Sequence, residues 1–247
     1  MLRLDQALVD RGLSESRERA KRAILAGTVR VNGQVVSKAG HAVKAQDLIA
    51  LAVPEKFVSR GGYKLEHGLR EFGIAVAGCR ALDIGASTGG FTDCLLQQGA
   101  TQVYAVDVGQ GQLAWKLRQD SRVVVMEKTN ARELTPAKFP PGFELADLAV
   151  IDCSFISLRK IVPAVVALLR PSAKIIALVK PQFEAGKAEA DRGAGVIRDP
   201  AVHERVLREL EAFVITLPGW AWRRTTPSPI LGPAGNKEFL VLIESTG

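Results

Sequence analysis

The sequence predicts an α/β protein with a small N-terminal α/β module and a larger, doubly wound parallel sheet. Three observations predict this. Short apolar runs alternate with helical stretches from residue 80 onward, the pattern of strands joined by crossover helices. A glycine-rich turn follows the first of those runs, between Gly85 and Gly90. The charge is also uneven. The chain carries 33 Lys and Arg against 26 Asp and Glu, net +7, and net +5 of this falls in residues 1–60. A basic end module of this kind points to an anionic partner, with nucleic acid the first reading and a solvated helix face the bland one.

The N-terminal module, residues 1–56, opens with Leu4, Ala7 and Leu8 at helical spacing. Ser16, after Leu13-Ser14-Glu15, is a suitable N-cap for a second helix over Arg17 to Leu25, which Gly27 stops. Val29 and Val31 flank polar Arg30, Asn32-Gly33 forms a two-residue turn, and Val35-Val36 returns. Val43 and Asp47 to Leu51 continue the β-pattern. Residues 57–79 form a junction plus a first helix. Pro54 and Ser59-Arg60-Gly61-Gly62 are expected to break regular structure, and Lys64 to Phe72 is expected to be helical with Leu65 and Leu69 inward.

In residues 80–247 five strands are expected at Ala81–Ile84, Gln102–Val108, Val123–Met126, Leu148–Ile151 and Lys174–Val179. Two more are expected at Trp220–Thr226 and Glu238–Ile243. Residues 185–200, with Gly186, Gly193 and Gly195 among charges, read as a mobile surface loop. The longest apolar run, Ile161 to Leu169, has nine residues including Pro163, far short of the roughly 20 that span a bilayer. Asp5, Asp10 and Arg11 interrupt any early secretory segment. Cys79, Cys94 and Cys153 have no metal or disulfide spacing and read as buried thiols in a reducing cytoplasm; no metal is expected.

The strongest motif is Leu82-Asp83-Ile84-Gly85-Ala86-Ser87-Thr88-Gly89-Gly90-Phe91. A nicotinamide-type fingerprint needs glycine at the middle position, where this chain has Ser87. Instead Asp83 stands two residues before the first glycine, placed to meet the amine of a methionine moiety directly or through water. This arrangement resembles the first motif of S-adenosylmethionine-dependent methyltransferases. Asp107 ends the second strand, where a carboxylate accepts both hydroxyls of a ribose, with Val108 beside it. Asn130, after the third strand, is placed for the adenine edge, although many methyltransferases have Asp there. Asp152 and Lys180 follow the fourth and fifth strands, at the carboxyl ends where open α/β sheets bind ligands.

Ser59-Arg60-Gly61-Gly62-Tyr63-Lys64-Leu65, the glycine-rich motif, Ala105 to Leu113, Asp152-Cys153-Ser154-Phe155 and Lys180-Pro181-Gln182-Phe183-Glu184 together resemble the TlyA family of ribosomal RNA 2′-O-methyltransferases, also called hemolysin-like. The resemblance covers essentially the whole chain. It implies a Rossmann-like seven-stranded methyltransferase sheet of FtsJ type, S-adenosyl-L-methionine as cofactor, and a catalytic tetrad of Lys64, Asp152, Lys180 and Glu238. It implies an N-terminal RNA-binding domain like that of a small-subunit ribosomal protein, carried by Arg3-Leu4-Asp5, Ser16-Arg17, Gly27 and Val29 to Gly33. Arg3, Arg17, Lys21, Arg22, Arg30 and Arg60 are the expected RNA contacts. The implied reaction is 2′-O-methylation of a cytidine ribose in ribosomal subunits, by a cytoplasmic monomer with no membrane or DNA partner. Some members begin with an Arg-rich lead-in, whereas this chain starts at Met1-Leu2-Arg3-Leu4-Asp5, so the large subunit is the favoured target.

The chemistry asked of such a site is modest. The sulfonium methyl is already electrophilic, so the protein has to align it with a hydroxyl and handle one proton. His41, His67 and His203 do not sit at strand ends in the catalytic half. A lysine serves as base when burial and a second ammonium favour its neutral form. Lys180 is therefore expected to activate the hydroxyl, with Lys64 as the second ammonium and a substrate contact. Asp152 would orient Lys180, and Glu238 would hold the lysine cluster. Rival readings are a non-catalytic RNA-binding or assembly factor, a pseudouridine synthase sharing the N-terminal module, and a membrane-lytic protein. The cofactor turn opposes the first two, and the lack of an amphipathic insertion segment opposes the third.

Overall fold

The computed structural model describes residues 1–52, 55–186, 189, 191 and 193–246. The chain divides into two compact units, Met1–Lys56 and Phe57–Gly247. In the first unit, β1 (Leu2–Arg3) leads into α1 (Leu4–Asp10), followed by α2 (Arg17–Leu25), β2 (Val29–Val31), β3 (Gln34–Val35), β4 (Ala42–Val43) and β5 (Ile49–Leu51). Ser16 caps α2 by accepting from the Arg19 amide. Asn32 and Gly33 both have positive φ, 50° and 84°, which is what a two-residue hairpin turn requires. Strands β3, β2 and β5 form one small sheet, and β1 pairs with β4 in another; the sequence gives no sign of this second pairing, because two residues carry no periodicity. Leu4, Leu8, Ala20, Ile24, Val29 and Val43 make the core. Asp5 is also fully buried, held by Arg3 at 3.0 Å and Arg17 at 3.1 Å.

The second unit begins with α3 (Gly61–Phe72). Gly61 and Gly62 are thus inside a helix and do not break structure. Gly62 is required for contact instead: a Cβ there would lie 2.2 Å from the Phe57 ring. The expected break at Pro54 lies outside the described residues. Strands β6 (Arg80–Ile84), β7 (Gln102–Val106), β8 (Val123–Met126), β9 (Ala146–Ile151), β10 (Leu169–Val179), β11 (Trp220–Pro227) and β12 (Phe239–Ser245) form one seven-stranded sheet in the order β11-β12-β10-β9-β6-β7-β8. Six strands share one direction, but β12 runs antiparallel between β10 and β11, so the sheet is mixed rather than wholly parallel. Alternate side chains feed two cores. Ala81, Val103, Val150, Ile176 and Leu240 face α3 and α4 (Gly90–Gln97). Leu82, Tyr104, Ile151, Ile175 and Val241 belong to the other core, with α6 (Val162–Val166) and α8 (Pro200–Ile215). Two short helices complete the unit, α5 (Trp115–Arg118) and α7 (Pro181–Glu184).

Two expectations need correction. Residues 193–199 are not loose: buried Asn236 donates to Gly195 O and accepts from Ile197 N, and His203 Nε2 bonds Ile197 O at 3.0 Å. Of the three cysteines only Cys94 is buried; Cys79 and Cys153 are partly exposed.

Burial of Asp5 yields a prediction. The Arg3 hydrogen bond, with Arg17 helping, lowers its pKa to about 2. A carboxylate with a depressed folded pKa contributes stability above its ordinary value near 3.8, and that contribution is lost as pH falls towards 2. Thermal melts should therefore show stability falling between pH 4 and 2, and Asp5→Asn should flatten that slope while lowering the melting temperature at pH 7. Parallel slopes for the two proteins would refute the assignment.

Candidate active site

The carboxyl ends of β6, β7, β9 and β10 meet at one edge of the sheet, and the amino end of β12 joins them. Because β12 is antiparallel and Phe239 pairs with Val179, Glu238 reaches the edge where Lys180 emerges. A residue before an antiparallel strand thereby joins residues that follow parallel ones. A cavity of about 250 Å³ is lined here by Lys64, Asp152 and Lys180 together with Gly85, Gly90 and Phe91 of the glycine turn. Lys64 donates to Glu238 Oε2 at 2.6 Å, and both are buried. Lys180 lies 2.6 Å from Asp152 Oδ1 and makes its aligned hydrogen bond to Ser154 Oγ, at 2.8 Å. The structure thus gathers all four expected tetrad positions.

A second cavity, of about 1190 Å³, adjoins the same turn and is lined by Ser87, Asp107, Val108, Asn130 and Asp152, with Phe155 and Gln182 also in its wall. Asp107 Oδ2 accepts from Ser87 N and Oδ1 from Gly109 N, both at 2.7 Å, so each oxygen keeps a lone pair for a ligand hydroxyl. Ser87 has φ 49° and Gly85 φ 86°, and a Cβ at Gly85 would press to 2.8 Å from Asp152 O. Gly89 has φ 94°. Thr88 and Gly90 line the smaller cavity, and a Cβ on Gly90 would collide with Ser59 Oγ. Asn130 lines the larger cavity, with its amide spent on a short turn: Oδ1 accepts from Arg132 N and Nδ2 donates to Glu133.

Asp83 is wholly buried beneath this turn. Thr92 donates to its Oδ2 at 2.6 Å, and its Oδ1 has no partner. Burial pushes its pKa to about 7; the negative Asp152 and Asp107 add to the rise, and the Thr92 hydrogen bond opposes it. An orphaned, buried carboxylate oxygen under a glycine cradle, beside a second carboxylate with free lone pairs, suits a ligand that carries a cationic amine and a ribose. S-adenosylmethionine has both, and the residues present fit it. Among the described residues no cluster of His, Cys, Asp or Glu is placed to hold a metal ion.

The basic residues of the first unit are all exposed, but not all free. Arg3 and Arg17 pair with Asp5, and Arg30 donates to Gly33 O, leaving Lys21 and Arg22 displayed on α2. Arg60, expected as an RNA contact, is the exposed N-cap of α3 and lines the smaller cavity. The sequence reading missed Ser154, Phe155, Gln182 and Pro233, which line these cavities. Three of them sit inside motifs whose charged members alone were read. Phe155 is 90% exposed with φ 63°, its ring tilted at 47° to that of Phe183 with centroids 5.0 Å apart, a placement no hydropathy pattern signals.

Fold and site define a methyltransferase that carries a small RNA-binding domain. A family profile for FtsJ-like methyltransferases matches residues 57–245, and one for the S4 domain matches residues 2–49. The chain is 47% identical over 247 residues to a Mycobacterium tuberculosis protein named 16S/23S rRNA (cytidine-2′-O)-methyltransferase TlyA, covering 98% of this chain and 90% of that one. It also matches a solved Streptococcus thermophilus structure, provisionally called a hemolysin, with 45% identity, a TM-score of 0.75, and 99% and 88% of the two chains covered. The O-methyltransferase TomG of Streptomyces achromogenes, solved with S-adenosylmethionine, shares the fold at 18% identity and a TM-score of 0.53, over 79% of this chain and 84% of that one. The chain belongs to the TlyA family of FtsJ-like methyltransferases. No helix among the described residues is long and apolar enough to cross a membrane.

Asp83 gives a test of the cofactor cradle. Its folded pKa lies above the ordinary value, so its contribution to stability is complete below pH 4 and is lost as pH rises through 7. Without ligand, the protein should melt lower at pH 8 than at pH 5, and Asp83→Asn should remove much of that difference while weakening S-adenosylmethionine binding in calorimetry. Unchanged affinity would sink the role given to Asp83.

Proposed function

We propose that this protein transfers the methyl group of S-adenosylmethionine to the 2′-hydroxyl of a cytidine in ribosomal RNA. The observation that carries this reading is the convergence of Lys64, Asp152 and Lys180 on one cavity against the glycine turn, with Glu238 behind Lys64. The relative's name supplies the cytidine ribose and both ribosomal subunits as candidate targets. When bound, S-adenosylmethionine supplies the electrophilic methyl. Asp83 would meet its amine, Asp107 its ribose hydroxyls, and Asn130 with Val108 its adenine side.

Lys180 Nζ, having first released its own proton to solvent, would accept the proton that the 2′-hydroxyl gives up on methylation. Asp152 and Ser154 hold Lys180 in line. Glu238 holds Lys64 at the cavity wall, where its ammonium faces the incoming ribose and phosphate. Exposed Lys21, Arg22 and Arg30, with the remaining donors of Arg3, Arg17 and Arg60, would bind the RNA backbone. A non-catalytic assembly factor needs no such gathering of buried charges. The enzyme would act in the cytoplasm, where its substrate lies.

Unmodified ribosomal subunits and labelled S-adenosylmethionine test this directly. The label should map to a ribose 2′-oxygen; label on a base would overturn the reading. Lys180→Ala should lower the transfer rate by about 10²- to 10⁴-fold, the usual worth of a positioned proton acceptor, while leaving cofactor affinity intact.

The RNA reading makes a separate prediction. Replacing Lys21 and Arg22 with Gln should lower RNA affinity and make its log–log salt dependence shallower by about 0.7–0.9 for each phosphate that these side chains neutralise. An unaltered salt slope would return these residues to the solvated-surface reading.

A further inference from the structure

Glu184 ends the Lys180-Pro181-Gln182-Phe183-Glu184 motif, yet the transfer step does not use it. Its Oε2 accepts from Ser157 Oγ at 2.6 Å, and its Oε1 accepts from Leu158 N at 2.8 Å. Both donors belong to the loop after β9, whereas Glu184 sits on α7, after β10. One carboxylate therefore joins the two loops that carry the catalytic pair. The other end of the β9 loop is fixed by Asp152 N, which donates to Ile84 O at 2.9 Å. Between these anchors lie Asp152 and Ser154, both in contact with Lys180, and Phe155 in the left-handed region at φ 63°. A bulky residue is strained there and keeps that conformation only when its surroundings enforce it. Burial raises the pKa of Glu184, with the Ser157 and Leu158 bonds opposing. A half-buried carboxylate with both oxygens engaged is a costly element to keep for loop packing alone.

We propose that Glu184 is a positioning residue for methyl transfer, clamping the Asp152–Leu158 loop to the Lys180 turn and so setting the contacts of Lys180 with Asp152 and Ser154. The proposal rests on the methyltransferase reading above. It acts through reach and hydrogen bonding rather than through charge, and that distinction makes it testable. Gln at 184 keeps the reach: its oxygen can accept from Leu158 N and its amide can donate to the Ser157 hydroxyl. Asp keeps the charge but is one methylene too short to meet both donors.

The experiment is single-turnover methyl transfer by the full chain to unmodified ribosomal subunits, well below the melting temperature, with S-adenosylmethionine affinity and melting temperature measured in parallel. A single-turnover rate constant reports on folded enzyme alone, so a merely structural role would change amplitude and melting temperature but not the rate. Glu184→Gln should stay within about threefold of wild type, and Glu184→Asp and Glu184→Ala should each fall by about 10²-fold, the scale of a 1 Å misplacement. Cofactor affinity should hold in all three. A rate for Glu184→Asp above that for Glu184→Gln would show that charge matters and overturn the clamp. Wild-type rates in all three variants would overturn it as well. Failure of the wild-type chain to transfer methyl at all would instead remove the methyltransferase reading on which the clamp rests.

Discussion

Two ammonium groups are buried at one end of the sheet, and much of the architecture follows from the need to pair them. Lys180 and Lys64 are about nine-tenths withdrawn from solvent. A buried cation without a partner is strongly destabilising, and removing one member of such a pair typically costs about 3–5 kcal/mol. The parallel neighbours β9 and β10 bring Asp152 to Lys180. The antiparallel insertion of β12 brings Glu238 to Lys64, which arrives from α3 on one face of the sheet. A sheet with β12 reversed would carry Glu238 to the opposite edge and leave Lys64 alone. The mixed topology is therefore tied to the chemistry of the site.

The same constraint explains how helices and turns meet at this edge. The amino ends of α3 and α4 approach so closely that a Cβ on Gly90 would fall 2.9 Å from Gly62 N. That approach seats Lys64, on the first turn of α3, against the glycine cradle. Gly61 and Gly62 look like breakers in the sequence because a single chain does not show what a helix packs against. In the structure they are the small residues that let two helix ends share one cavity wall.

Much of this is legible in the sequence for physical reasons. The central strands are apolar on both faces, so their runs stand out, and charged residues directly after them have to lie at the ligand-binding edge. The glycine turn is legible because Asp83 and Asp107 stand at fixed offsets from it. What escapes depends on tertiary partners. The β1–β4 pair is too short for periodicity. The 193–199 stretch reads as loose from its glycines, yet Asn236, forty residues on, supplies its backbone partners. Phe155 carries no sequence signal for its exposed position, which comes with a left-handed backbone at φ 63°. Arg3 and Arg17 read as free phosphate contacts, and a buried Asp5 claims part of their charge.

The unsatisfied groups separate stability from function. Among the described residues, the buried side-chain acceptors without an aligned partner are on Asp83, Asp152, Gln182 and Glu238. An orphaned buried acceptor costs about 1–3 kcal/mol. Four scattered over the chain would read as ordinary packing faults. All four instead stand at one sheet edge: Asp83 before the glycine turn, Asp152 after β9, Gln182 two residues after Lys180, and Glu238 before β12. Asp152 Oδ1 at least has the Lys180 ammonium close by; Asp83 Oδ1, Gln182 Oε1 and Glu238 Oε1 have no hydrogen-bond partner. The fold satisfies its polar groups elsewhere with side chains such as Asn236 and Glu184, so the shortfall is local. Asp152 and Gln182 line the cavities, so a ligand with an amine and several hydroxyls would supply donors to them and offset part of the cost. The free protein should then be least stable where its chemistry lies, and substrate and cofactor should complete the fold as they bind.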